Sequence, residues 1–554
     1  MTGHTVSDSK LHLLTRVTGQ IRKLLGLRTG VKAPVSFSRG VHYFGSHDPV
    51  SFLDAFRPEE VRADFQAIRG DGFDTVCLLL PWHALFPDAA SPELDPWHAQ
   101  RLDHLLSEAG RAGLRVHGRL FYAYSSDVTA EVSHHERQLA FLLCPARSMA
   151  RMKAQADHLV RRVTRHKAWA GGFVTWEDFW PCFETPPHWA ESQRHELAMR
   201  SGFSDWVEQQ GLAPLAQQLA LPCNGQVWIV PTHHSPAMQL WVWFFDHVLR
   251  HRVMAACLPA FPDLGVEIRI DAYPVPMPDG QTEWLHFDLF NDWHGPRYLY
   301  WGPFHGMANQ GEQLDASAAL EGLKRLLLRF GGVRRPVIDQ FNFTDETLLF
   351  ARQNARLRGD QVSPFILDSA ALLRDQTAGC WLWAYRDYRE NWLVNSTFQQ
   401  GGLAWGGSAR FDASKKTAWL KPGTELTQDL RPFMRAQAPQ DHYGNFSCDV
   451  EVGTLADASD LRLCLGSYAG QPRPLNVGRW RFDLPISALD WQACTLVLRY
   501  VGSQELQVKS LCLYGFVQRL GVRDELGQPG PHLKAVQALN QALLAACRPN
   551  RSRV

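Results

Sequence analysis

From about residue 36 the chain alternates short apolar runs with longer segments in which apolar positions recur every three or four residues. Runs of the first kind are Gly40–Phe44, Thr75–Pro81, Arg115–Phe121, Gly172–Thr175, Val266–Ile270, Tyr298–Trp301, Pro336–Phe341 and Gly379–Tyr385. A strand covered on both faces reads as a near-continuous apolar run, which is the mark of a parallel sheet. The longer segments carry the helical period, as in Pro58–Ile68 and Leu102–Gly110, with Gly113 as a helix stop. Eight strand-then-helix units predict a closed (β/α)₈ barrel of the α/β class over 36–395.

The stretch Pro186–Pro262 is longer than one unit needs. It predicts a helical insertion after the fourth strand, about 186–262, with Val227–Pro231 as an extra extended piece. Beyond Asn395 the period changes to two. Phe446–Val452, Leu461–Leu465, Arg479–Leu484 and Thr495–Val501 alternate apolar with polar residues, and Gly401-Gly402 and Gly406-Gly407 mark turns. These predict an all-β sandwich of jelly-roll type over 396–530, followed by a C-terminal helix and tail over 531–554.

Composition narrows the function. A formal net charge of +1 argues against a polyanion-binding surface and excludes nucleic acid as an expected partner. The 11 cysteines include no C-x-x-C pair and no zinc spacing, so neither a metal nor another cofactor is expected. No signal-peptide core and no membrane-crossing run stands in the sequence, which leads to the expectation of a cytoplasmic protein. Residues 1–35 form a basic, amphipathic segment; Arg16, Arg22, Lys23 and Arg28 among apolar neighbours suit a peripheral membrane contact through residues 10–28. The 20 tryptophans suit a large core, and a tryptophan face also fits the C–H-rich face of a sugar ring.

A barrel of this kind does its work at the C-terminal ends of its strands. Strand four ends in Trp176-Glu177-Asp178, strand five in Asp271-Ala272-Tyr273, strand seven in Asp339-Gln340-Phe341 with Asp345 and Glu346 close behind, and strand eight in Trp381, Trp383, Tyr385 and Asp387. Carboxylates converge there. Cleaving a glycosidic bond with retention needs an acid and a nucleophilic carboxylate about 5 Å apart, and strands four and seven face each other across the mouth. Glu177 with Asp339 or Gln340 is therefore the candidate catalytic set. His42, Trp82, Tyr122, Trp176, Asp271, Tyr273, Trp301, Trp381, Trp383 and Asp387 are the candidate sugar contacts. Each has a plain alternative: Glu177 as a helix cap or as partner of a barrel Arg, Asp339 as partner of Arg269 in a structural network, the tryptophans as core. His42, His83 and His305 read equally as hydrogen-bonded wall residues, Tyr122 and Tyr124 are ambiguous, and His233-His234 is too isolated for a metal.

Gly40–Phe44, Phe65–Trp82, Leu102–Val116, Trp176-Glu177 and Pro336–Phe341 together resemble the clan of retaining barrel glycosidases that includes glycoside hydrolase families 5, 39 and 42. The likeness spans residues 36–395. It implies a β-linked oligo- or polysaccharide as substrate and Glu177 as acid/base. Trp176 stands where the clan has Asn, Gln340 where it has the nucleophilic Glu, and Cys77 near where it often has Arg. Three readings follow: Asp339 is the nucleophile on a bulged strand; Asp345 or Glu346 reaches in from the loop; or the barrel binds sugar without cutting it, as in a polysaccharide-assembly system.

Overall fold

The computed structural model describes residues 37–545 apart from 48, 51, 56, 88–90, 123–141, 143–144, 180–181, 184, 269–272, 277–281, 286–292, 294, 303–311, 331–334, 344–354, 413, 431–444, 454–456 and 487–493. Eight parallel strands close into a barrel: β1 (Ser38–Tyr43), β2 (Thr75–Pro81), β3 (Arg115–Tyr122), β4 (Trp169–Thr175), β5 (Gly265–Ile268), β6 (Arg297–Trp301), β7 (Val337–Phe341) and β8 (Gly379–Leu382). Each pairs with the next in sequence, and β8 returns to β1 with Ser38 opposite Gly379 and Gly40 opposite Trp381. All eight expected apolar runs are these strands. The eighth is shorter than expected because its ladder breaks after Leu382: the Ala384 N–H donates to the Leu520 carbonyl, and the Tyr385 N–H meets β1 again at the His42 carbonyl.

The helices follow from local chemistry. Helix α1 (Pro58–Gly70) opens on proline with Glu59 and Glu60 in its first turn and Arg69 in its last, which suits the helix dipole, and it buries Val61, Phe65 and Ile68 on one face. Helix α2 (Pro96–Ala112) starts where the Asp95 carboxylate accepts from the His98 N–H. It stops at Gly113, whose φ of 70° only glycine adopts without strain.

The barrel floor is aromatic. Cys77, Phe173, Tyr298 and Trp381 form one buried cluster, with Phe173 stacked on Tyr298 at 4.3 Å. Trp381 enters because Gly40 has no side chain: a Cβ there would stand 2.2 Å from the indole. The indole N–H donates to Ser38 Oγ at 2.8 Å, so its one polar atom is satisfied indoors.

Between β4 and β5 lie the helices Glu191–Ser201, Phe203–Gln209, Ala213–Gln218 and Met238–Val248, packed through Phe203, Trp206, Trp241 and Phe244. Trp241 donates its indole N–H to the Phe183 carbonyl, tying the insertion to the chain that leaves β4. The expected extended piece at Val227–Pro231 is a strand only at Val227–Trp228, in a small hairpin with Cys223–Asn224.

The C-terminal region is two antiparallel sheets over one core that includes Phe446, Leu463, Phe482, Leu498 and Leu513. Its longest strand, Leu506–Gln518, pairs with Asn445–Val452, Thr417–Leu420 and Tyr388–Asn391. The terminal helix, Leu533–Ala545, returns to the barrel: Asn540 Nδ2 donates to the Asp71 carbonyl, and Arg39 donates to the Asn540 carbonyl. Asp71 is the hub of this joint, accepting from Tyr385, Gln537 and both branches of the Arg523 guanidinium. No described helix is long and apolar enough to cross a membrane, and the segment 10–28 lies outside the described residues.

Candidate active site

Above the aromatic floor the barrel interior turns ionic. β4 ends at Thr175, whose hydroxyl accepts from the Glu177 N–H at 3.0 Å, and the chain turns through the short 3₁₀ segment Trp176–Phe179. That turn delivers Glu177 and Asp178 to one arginine. Arg119, on β3 and 2% exposed, places Nη2 at 2.9 Å from Glu177 Oε2 and 2.7 Å from Asp178 Oδ1. Its Nε also lies 3.2 Å from each Asp178 oxygen, a forked pairing that fixes the planar guanidinium. Glu177 remains 35% exposed, whereas Asp178 is buried.

From β7, Gln340 donates its amide nitrogen to two acids at once: Glu177 Oε2 at 3.4 Å and Glu267 Oε1 at 3.3 Å. In this orientation the amide turns its N–H groups, and not its oxygen, towards the two acids. Two acids reached from one nitrogen have their accepting oxygens no farther apart than about 7 Å. Glu267 lies on β5 with no exposed surface.

A bulge in β7 arranges this. Register slips by one residue between β6 and β7 at Leu299 and Tyr300, and again between β7 and β8, so Asp339 is the extra residue. Both Asp339 and Gln340 then turn inward. Asp339 is fully buried; its backbone carbonyl accepts from His42 Nε2 at 2.7 Å, and its carboxylate lies 4.0 Å from the same nitrogen. Burial, with Arg119 next, pushes the His42 pKa down to about 3, so this histidine is a neutral donor that pins the bulge.

One guanidinium cannot balance three carboxylates. Burial, opposed by Arg119 and reinforced by Glu177 and Glu267, pushes the Asp178 pKa up to about 7. For Arg119, burial favours the neutral form, but Asp178, Glu177 and Glu267 outweigh it and hold the guanidinium charged. Burial, with Asp339 adding to it, also raises the Cys77 thiol pKa well above its ordinary range.

The structure brings Glu177 and Gln340 together and places Tyr122 beside them, its ring 4.9 Å from the Arg119 guanidinium. Trp383 is half-buried, its ring 4.9 Å from that of His42 and 5.3 Å from that of Phe44. Five expected sugar contacts are elsewhere. Trp381 lies in the barrel floor. Trp82 is buried behind the barrel wall, against Phe86 and Phe121, and donates to Gln155 Oε1. Trp301 faces outward, stacked on Phe365 of the helix Gly359–Gln376. Asp387 belongs to the joint with the sandwich, accepting from the Gly521 N–H at 2.8 Å, and burial raises its pKa to about 6. His42 is sealed within the wall. In each case an apolar or hydrogen-bonded surrounding takes the side chain away from the mouth. Asp271, Arg269, Asp345, Glu346, His305 and Tyr124 lie outside the described residues, as do the side chains of Trp176 and Tyr273.

Arg119, Asp178 and Glu267 are the site residues the sequence reading missed as candidates. For Arg119 and Glu267 the signal was present: an ionised residue inside a buried barrel strand has to find a partner indoors. Among the described residues no group of three or more His, Cys, Asp or Glu side chains is arranged to hold a metal ion.

No family model and no curated protein matches the chain. Solved structures similar to it include a GH5_18 protein from Streptomyces cattleya in complex with GlcNAc, at 14% identity over 64% of this chain and 72% of that one, with a TM-score of 0.40. An exo-β-1,4-mannosidase from an Opitutaceae bacterium matches at 14% identity over 65% of this chain and 56% of that one, with a TM-score of 0.34. The cold-adapted β-galactosidase of Rahnella sp. R3 matches at 13% identity over 64% of this chain and 51% of its own, with a TM-score of 0.43. On its own topology, the chain is a closed (β/α)₈ barrel carrying a C-terminal β-sandwich.

Proposed function

We propose that the chain hydrolyses or transfers β-linked sugars at the barrel mouth, with Glu177 as the general acid. The observation that carries this is the setting of Glu177: a partly exposed carboxyl at the end of β4, anchored from below by Arg119 and met from across the barrel by the Gln340 amide. A group so placed can reach a bound glycosidic oxygen while its own rotamer is held. Glu177 protonates that oxygen as the bond to the anomeric carbon lengthens. Tyr122 and Trp383 supply aromatic surface for the ring of the sugar.

A second reading has its own observation. Gln340 faces Glu177 with an amide where a retaining glycosidase needs a carboxylate, which suits a protein that holds a glycan without cutting it. The two separate in one experiment: a panel of p-nitrophenyl β-glycosides and β-linked oligosaccharides, assayed for product and for binding by calorimetry. Turnover that falls roughly 10²–10⁴-fold in Glu177→Gln while binding persists supports the enzyme. Binding without turnover in the wild-type protein supports the binder.

A further inference from the structure

Gln340 spends its amide nitrogen on two acids, Glu177 and Glu267, which leaves its carbonyl oxygen for other work. That oxygen accepts from no described residue and still meets solvent. Within one planar amide it lies no more than about 6 Å from Glu177 Oε2, close to the separation at which a retaining pair flanks the anomeric carbon. Across from the acid, therefore, stands a hydrogen-bond acceptor that is not a nucleophile. The neighbouring acids do not fill that role: Asp178, Glu267 and Asp339 are all buried, the last two with no exposed surface. They do leave the site negative, since the single guanidinium of Arg119 serves Asp178, Glu177 and Glu267 together.

We propose that the substrate brings its own nucleophile: the site takes a 2-acetamido-2-deoxy-β-glycoside, whose acetamido N–H donates to Gln340 Oε1 while its carbonyl attacks the anomeric carbon. This rests on the reading of Glu177 as general acid. The acetamido oxygen forms a bond to the anomeric carbon as the bond from that carbon to the glycosidic oxygen breaks. The electron pair of the broken bond and the Glu177 proton both go to the leaving oxygen. The ring so closed is an oxazolinium, and its positive charge is shared by the N–H that faces Gln340 Oε1. A hydrogen bond to a charged donor is stronger than one to a neutral amide, so Gln340 holds the cation better than the substrate. The buried carboxylates around Arg119 favour the same cation by their field. Water then adds to the anomeric carbon, gives a proton to Glu177, and the ring opens to the acetamide with the original configuration.

The test uses the full chain with p-nitrophenyl 2-acetamido-2-deoxy-β-glucoside and its galacto isomer, and with their mono-, di- and trifluoroacetyl analogues. Fluorine weakens the carbonyl as a nucleophile, so kcat/KM is expected to fall roughly 100-fold or more along the series, with NMR showing a retained configuration in the first-formed product. The thiazoline of the same sugar, a stable mimic of the oxazolinium, is expected to bind more tightly than the free sugar in calorimetry. Gln340→Met is expected to weaken thiazoline binding roughly 10–100-fold and free-sugar binding much less. A merely structural loss, through the contact of Gln340 with Glu177, would weaken both alike and overturn the role of Gln340. Should the variant fold poorly, shown by a lost melting transition, the wild-type fluorine series still decides. A flat fluorine series, an inverted product, or turnover confined to 2-hydroxyl β-glycosides overturns the inference. Glu177 still stands in those cases if Glu177→Gln lowers the turnover that is seen. Absence of turnover of any β-glycoside by the wild-type protein overturns both.

Discussion

Two layers of one barrel interior differ in almost every respect. The floor is four apolar or weakly polar side chains, Cys77, Phe173, Tyr298 and Trp381, in mutual contact. The layer above it holds an arginine, three carboxylates and an amide, all but Glu177 buried. The floor lowers free energy simply by excluding water from large rings. The upper layer is retained although desolvating charge is costly, and a buried ion pair is weak evidence for stability. The contrast separates a layer that holds the barrel shut from one whose charged groups gather towards the carboxyl ends of the strands.

The sharpest way to break this contrast is at its ionic centre. Arg119→Met leaves Asp178 buried without its partner, and a loss of about 3–5 kcal/mol is expected in urea unfolding. A loss below about 1 kcal/mol would show that the acids are held by their other neighbours. In the floor, Trp381→Ala is expected to cost roughly 3 kcal/mol through the cavity it leaves, with sugar affinity unchanged in the folded fraction; a weakened affinity would put the indole back in the site. Gly40→Ala drives a methyl into the same indole, and about 1–3 kcal/mol is expected from calorimetric melting.

The ionic layer also carries its own pH signature. The Asp178 pKa, raised to about 7 from the ordinary 3.8, means that the folded chain keeps a proton the unfolded chain has released. Stability from this group is therefore full below about pH 4 and falls as pH rises towards 7. Asp178→Asn is expected to flatten that slope in melts taken from pH 4 to 7, and an unchanged slope would rule Asp178 out as its source. The smallest effect on stability is expected at Glu177→Gln: being partly exposed, it should move stability by less than about 1 kcal/mol, while the proposed acid role has turnover fall roughly 10²–10⁴-fold.

Much of the fold was legible because a parallel barrel strand is apolar on both faces, and the eight runs stood out on that ground alone. The terminal helix and the change to alternating strands beyond Asn395 were legible for the same reason, a period visible within a few residues. The tryptophans were not. Trp381 and Trp383 are two residues apart and look equivalent in sequence, yet the first, within β8, fills the floor and the second, just past its end, stands beside His42. What separates them is the absent side chain of Gly40, on the neighbouring strand and more than 300 residues away.

The sequence by itself therefore determined the barrel, the sandwich and the place of Glu177, since each depends on short-range periodicity or on the end of a single strand. Only the tertiary structure decided which charges meet: Arg119, Glu267 and Gln340 come from three strands, and the one-residue bulge that turns Asp339 and Gln340 inward leaves no mark on the apolar pattern. Electrostatic partnership is a matter of distance in space. No local pattern in the chain encodes it until the strands are closed into a ring.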